Sequence, residues 1–153
     1  MNYFRAYELV DKKTYQERGE ASIELIDKGI LHDLNLLRAW AGKPMTVNNW
    51  YLGGKRQCSG FRTQESKYYK PFSQHSFGRA IDAISRHHKP QDFHKEIILN
   101  KEKYKNISFI EIDISWLHID SRINKCGSEL VIWSPLRGYV NVDSYKKELE
   151  MMW

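Results

Sequence analysis

The stretch Leu117-His118-Ile119-Asp120 alternates apolar and ionisable residues, and this alternation constrains the fold more than any other feature of the chain. A period of two belongs to a β-strand, so Leu117 and Ile119 face one side and His118 and Asp120 the other. The apolar side must be covered by a core, which leaves His118 and Asp120 on a shared polar face. Residues 107–112 read as a second strand, joined to residues 116–121 by a tight turn. Residues 46–51, 79–84 and 129–133 read as further strands. Residues 53–69 are polar and glycine-bearing, which predicts a long loop of the kind that often carries function. Residues 90–100 predict a helix with Pro90 near its first turn, and residues 142–152 a closing helix capped by Asp143 or Ser144. The sum is an α+β fold: a central antiparallel sheet with flanking helices.

Ahead of the strands, Ile23, Ile26, Ile30, Leu34 and Leu37 recur at helical spacing, with Leu31 and Trp40 adding to the stripe. Gly29 is expected to divide this layer into two short helices, and Gly42 followed by Pro44 to end it. With 153 residues, 41% of them apolar, the chain suits one domain with a substantial core. We divide it into a helical N-terminal layer (1–42), a central section bearing the chemistry (45–122) and a C-terminal strand and helix (123–153).

The formal charge of +5 draws the protein toward polyanions, of which nucleic acid and an anionic cell wall are two. The lysines and arginines are scattered and no nucleic-acid motif accompanies them, so nucleic acid is not the expected partner. Cys58 and Cys126 form no CxxC pair; a thiolate zinc site is not expected, and free thiols are favoured over a disulfide. Residues 1–10 contain Arg5 and Glu8 and no apolar run, so no signal peptide is expected. No segment approaches the roughly 18 apolar residues of a membrane span.

The chemistry concentrates in two places. Residues 73–82 read Ser-Gln-His-Ser-Phe-Gly-Arg-Ala-Ile-Asp, and residues 116–120 read Trp-Leu-His-Ile-Asp. Catalytic zinc takes three protein ligands, from His and carboxylate among others, and keeps a fourth position open. His75, Asp82 and His118 supply that count. Gly78 permits a sharp turn or a close backbone approach between the first two. Asp82 has apolar neighbours in Ile81 and Ile84, and a carboxylate there must be paired, hydrogen-bonded or metal-bound. Asp120 shares the face of His118 and is placed to orient it. Taken singly, each residue is better read as an ordinary satisfied polar group; it is their combination that points to a metal. His87 and His88 read as an exposed polar turn, and His32 and His94 as surface residues of helices.

Residues 73–82 match S-x-H-x-x-G-x-A-x-D, and in this the chain resembles the D-alanyl-D-alanine carboxypeptidase family, whose fold is shared with Hedgehog signalling domains. Trp116-Leu117-His118-Ile119-Asp120 looks like that family's second metal motif, and Ser59-Gly60-Phe61-Arg62-Thr63 resembles its upstream S-G-[YF]-R-[ST] element. Residues 47–50 and Gly53-Gly54 look like its short phage-encoded and bacterial members. The likeness spans residues 45–122.

The resemblance implies a zinc hydrolase of peptidoglycan stem peptides, with Zn2+ on His75, Asp82 and His118. It maps a substrate-binding arginine onto Arg62, suited to gripping a carboxylate or stabilising an oxyanion, and makes Ser73 a second substrate-binding candidate. The family's catalytic Glu, three residues before the second His, is replaced by Ser115, so Glu111 becomes the first candidate base and Asp113 the second. Small size and the absence of a leader suit a phage lysin or virion-associated hydrolase. Such a protein is made in the host cytoplasm and acts on the wall after release or within a virion. The alternative is a non-catalytic zinc-binding module among phage structural proteins.

Overall fold

The computed structural model describes residues 2–124 and 129–152. Strands β1 (Met45–Thr46), β2 (Ala80–Ser85), β3 (Phe109–Glu111), β4 (Leu117–Asp120), β5 (Val131–Ser134) and β6 (Gly138–Val140) form one sheet in the order β1-β2-β4-β3-β5-β6. The architecture is α+β, but the sheet is mixed and not wholly antiparallel as expected. β4 runs antiparallel to β3 along one edge, and β5 runs parallel to β3 along the other. Asn124, after β4, donates its side-chain amide to the Ser108 carbonyl at 2.8 Å.

The register explains the alternation in the sequence. Ile81, Ile119, Ile110, Ile132 and Val140 are successive partners across five strands. The four isoleucines are buried, and Val140 packs against the same core. One residue along each strand, Asp82, His118, Glu111, Trp133 and Tyr139 form a second row on the opposite face. The apolar row is covered by helices. α3 (Lys28–Ala41) contributes Ile30, Leu34 and Leu37, α4 (Pro90–Leu99) contributes Phe93 and Ile97, and α5 (Val142–Met151) contributes Tyr145 and Leu149 to one cluster. The polar row therefore points away from that core by necessity: the period of two allows no other arrangement once the isoleucines are buried.

Several boundaries differ from the expected ones. The N-terminal layer breaks not at Gly29 but at Asp27, whose carboxylate accepts from the Ile30 amide at 3.0 Å and caps α3. Ahead of it lie α1 (Ala6–Leu9), α2 (Lys12–Arg18) and a 3-10 segment Gly19–Leu25. Gly29 sits in the first turn of α3, where a Cβ would collide with the Asn106 side chain. Asn106 in turn donates twice to the fully buried Asp33. The expected strand 46–51 stops at Thr46, because Asn48 and Asn49 divert their side chains to the Ser59 and Arg56 amides and draw the chain into a turn. Asn141, not Asp143 or Ser144, caps α5, accepting from the Ser144 amide.

His94 is not a surface residue. It lies on the buried face of α4, 1% exposed, its Nδ1 paired with the Tyr145 hydroxyl at 2.8 Å. His87 and His88 sit in the turn between β2 and α4. Cys126 lies outside the described residues. Among the described residues no helix is long and apolar enough to cross a membrane.

Candidate metal centre

Asp82 and His118 are direct cross-strand partners on β2 and β4, which brings their side chains together from positions 36 residues apart. His118 Nδ1 lies 2.7 Å from Asp82 Oδ1, and its Nε2 lies 3.1 Å from Asp120 Oδ2. His75 arrives from a 3-10 turn, Gln74–Phe77, that precedes β2. That turn closes on Gly78 with φ +68°, where a side chain is disfavoured and a Cβ would also run into the Leu25 carbonyl. His75 Nδ1 is paired with the Gly60 carbonyl at 2.8 Å, and this turns Nε2 toward Asp82 Oδ2 at 3.2 Å.

One donor atom each from His75, Asp82 and His118 lies within 4.8 Å of the other two, in a pocket where both imidazoles are buried. Such a group could hold a metal ion. Two imidazoles and one carboxylate are a donor set for a divalent transition metal rather than an alkaline-earth ion. The outer contacts fit as well. A backbone carbonyl on His75 Nδ1 and a carboxylate on His118 Nε2 each fix a ring so that its other nitrogen faces Asp82. Asp120 thus stands where an orienting acceptor for His118 was expected. It is fully buried and is itself gripped by Arg122 through Nε and Nη2.

The electrostatics of the pocket favour positive charge. Burial alone would lower the proton affinity of His118, but the Asp120 and Asp82 carboxylates outweigh it and raise its pKa to about 9. Burial likewise pushes Asp82 up, and the hydrogen bonds from His118 and His75 overcome this and hold it far below the usual carboxylate range. Glu111 differs: burial raises its pKa, with the neighbouring His118 only partly offsetting the effect.

His75, Asp82 and His118 line one cleft of about 630 Å³ together with Arg62, Ser73 and Glu111. Glu111 is the cross-strand partner of His118 on β3 and forms no hydrogen bond or ion pair among the described residues. Arg62 donates through Nε to the Cys58 carbonyl at 2.7 Å and through Nη2 to Asp82 at 3.2 Å. Its Nη1 edge makes no hydrogen bond among the described residues. Asp113, the second candidate base, is not in the cleft. It occupies the turn after β3 with φ +61° and accepts from Ser134 Oγ at 2.6 Å and Arg137 Nε at 2.8 Å. It is a turn residue because the strand ends two positions before it and the chain reverses there.

Sequence reasoning missed Arg122, Phe109, Trp133 and Tyr139 as cleft residues. The Arg122 guanidinium lies 3.5 Å from the centre of the Phe109 ring. Strand periodicity carried the signal for Phe109, which shares a face with Glu111. Nothing local marks the other three, since their placement depends on which strand lies beside which. No protein-family model matches this chain, and no curated protein or solved structure matches it either.

Proposed function

We propose that this chain is a zinc-dependent peptidase of the D-alanyl-D-alanine carboxypeptidase type, acting on peptidoglycan stem peptides or cross-links as a phage lysin or virion-associated hydrolase. The observation that carries the reading is Glu111. A half-buried carboxylate with no hydrogen bond or ion pair among the described residues, registered beside His118 and opening into the same cleft, has no structural task there to explain it. The motif likeness of residues 59–63, 73–82 and 116–120 supplies the substrate class.

His75, Asp82 and His118 would hold the cation. When bound, it would polarise the scissile carbonyl and acidify a water molecule. Glu111 would accept a proton at its carboxylate from the attacking water and return it to the departing amine. Its raised pKa suits the task, because a base is most effective when its pKa lies near the working pH. Arg62 offers its remaining guanidinium edge to a peptide carboxylate or to the developing oxyanion. Asp120 and Arg122 keep the His118 ring in orientation.

The test combines metal content with hydrolysis. Purified protein is expected to carry one zinc per chain and to release D-alanine or new amino groups from purified peptidoglycan. Glu111→Gln should retain the zinc and lose roughly 10²- to 10⁴-fold of the rate. Stoichiometric zinc with no hydrolysis on several wall types would overturn the catalytic reading and leave a metal-binding module.

A further inference from the structure

The polar row does not end at Glu111. Trp133 on β5 is the cross-strand partner of Glu111, and Tyr139 on β6 is the partner of Trp133. Both line the same cleft as the metal group. With strands about 4.8 Å apart, the Tyr139 backbone lies roughly 10 Å from that of Glu111 along the row. Among the described residues neither ring is paired with another aromatic ring or a cation, and Tyr139 is 80% exposed on the edge strand. An exposed ring at a sheet edge, in register with a chemical site and feeding into its cleft, is not explained by packing.

We infer that Trp133 and Tyr139 form a subsite for a pyranose ring, the sugar to which the cleaved peptide is attached. This rests on the proposed reading of the site as a peptidoglycan hydrolase. A pyranose has a C–H face that lies flat on an aromatic ring, and a polar edge that the phenol hydroxyl and indole N–H can meet. Lys67 and Lys70 line the same cleft and add donors for the hydroxyl and acetamido oxygens of an N-acetylated glycan. The row then works as a ruler: the sheet holds the sugar at one end and the scissile bond beside His118 and Glu111 at the other. A substrate carrying both parts is favoured over a free peptide.

The probe is a soluble tetramer of N-acetylglucosamine, which has sugar rings and no peptide. Its binding is followed by tryptophan fluorescence and calorimetry. Wild-type protein is expected to bind it. Tyr139→Ala should weaken the binding about five- to ten-fold, and Tyr139→Phe, which keeps the ring, should restore most of it. In parallel, Tyr139→Ala should raise KM for intact peptidoglycan by more than it raises KM for a sugar-free stem pentapeptide. No binding of the tetramer to wild type, unchanged binding in Tyr139→Ala, or an equal KM rise on both substrates would overturn the subsite; the last outcome would assign the rings to a peptide side chain. Tetramer binding that depends on Tyr139 without any hydrolysis would sustain the subsite and refute the catalytic reading. Hydrolysis without tetramer binding would do the reverse.

Discussion

His118 and His94 are both withdrawn from water, 8% and 1% exposed, yet they are driven in opposite directions. His118 faces Asp82 on one side and Asp120 on the other, and its pKa rises to about 9 despite its burial. His94 sits between α4 and α5 with its Nδ1 on the Tyr145 hydroxyl; its buried Nε2 has no hydrogen-bond partner among the described residues, and burial, outweighing a weaker upward pull from Asp113, lowers its pKa to about 3. Burial therefore does not say what a histidine is for. Surrounding carboxylates make the first site a cradle for positive charge, whether a proton or a divalent cation. At the second no carboxylate hydrogen-bonds the ring among the described residues, and burial outweighs the weaker pull of Asp113, which leaves a neutral packing residue.

This contrast is open to direct attack. Its largest expected consequence is in metal binding. His118→Ala should lose bound zinc by more than about 100-fold in affinity, since even the orienting neighbours of a ligand are worth 10- to 100-fold. His94→Asn keeps an acceptor near the Tyr145 hydroxyl and should retain zinc fully. Equal losses in the two variants, measured by metal analysis after dialysis, would break the comparison. A smaller effect of the same kind belongs to Asp120→Asn, for which a loss of about 10- to 100-fold in zinc affinity is expected. Unchanged affinity would mean that His118 is held by its strand alone and that Asp120 serves only Arg122.

What could be read from the sequence divides along the same line. Spacing and alternation located His75, Asp82 and His118, because a motif places ligands relative to their own strand or turn. Glu111, a candidate because Ser115 stands at the position where the resembled family has Glu, lines the same cleft. Spacing and alternation did not separate it from Asp113, which falls past the end of β3 and outside the cleft, a boundary that two residues decide. They also misjudged His94, since a helix shows its buried face in sequence only when that face is uniformly apolar, and a polar residue within it reads as surface. The α+β class followed from the mixture of periodicities. The parallel β3–β5 pair did not, because strand order is set by tertiary contacts and not by any local pattern. For that reason the outer half of the cleft, Trp133 and Tyr139, was invisible until the strands were ordered.

The two histidines also differ in what acid does to them. In the unfolded chain His94 titrates near its ordinary value of about 6.5. In the folded protein it resists protonation until about pH 3. Between these limits the unfolded state binds the extra proton, so this contribution to stability is complete above the unfolded pKa and is lost as the pH falls below it. Between pH 7 and pH 5 the linkage amounts to roughly 2 kcal/mol. His94→Asn should remove that part of the acid sensitivity. Urea melts of both proteins at the two pH values, compared as a difference of differences, measure it; parallel losses of stability would show that His94 is protonated in the fold without penalty.

The smallest effect is expected at Asp113, and it sharpens the comparison by its absence from the site. Its carboxylate is held below the ordinary range, because burial is outweighed by hydrogen bonds from Ser134 and Arg137. It is therefore ionised and partnered, as a turn residue should be, whereas Glu111 is pushed up and forms no hydrogen bond or ion pair among the described residues. Asp113→Ala removes a partly exposed ion pair and one hydroxyl contact, for which a loss of about 1 kcal/mol in stability is reasonable. Hydrolysis of peptidoglycan by this variant should stay within about two-fold of wild type, because no proton-transfer step is assigned to this carboxylate and loss of a general base would cost about 10²-fold or more. A rate loss approaching that of Glu111→Gln, with zinc retained, would transfer the role of base to Asp113 and require the turn after β3 to swing its carboxylate away from Arg137 and into the cleft.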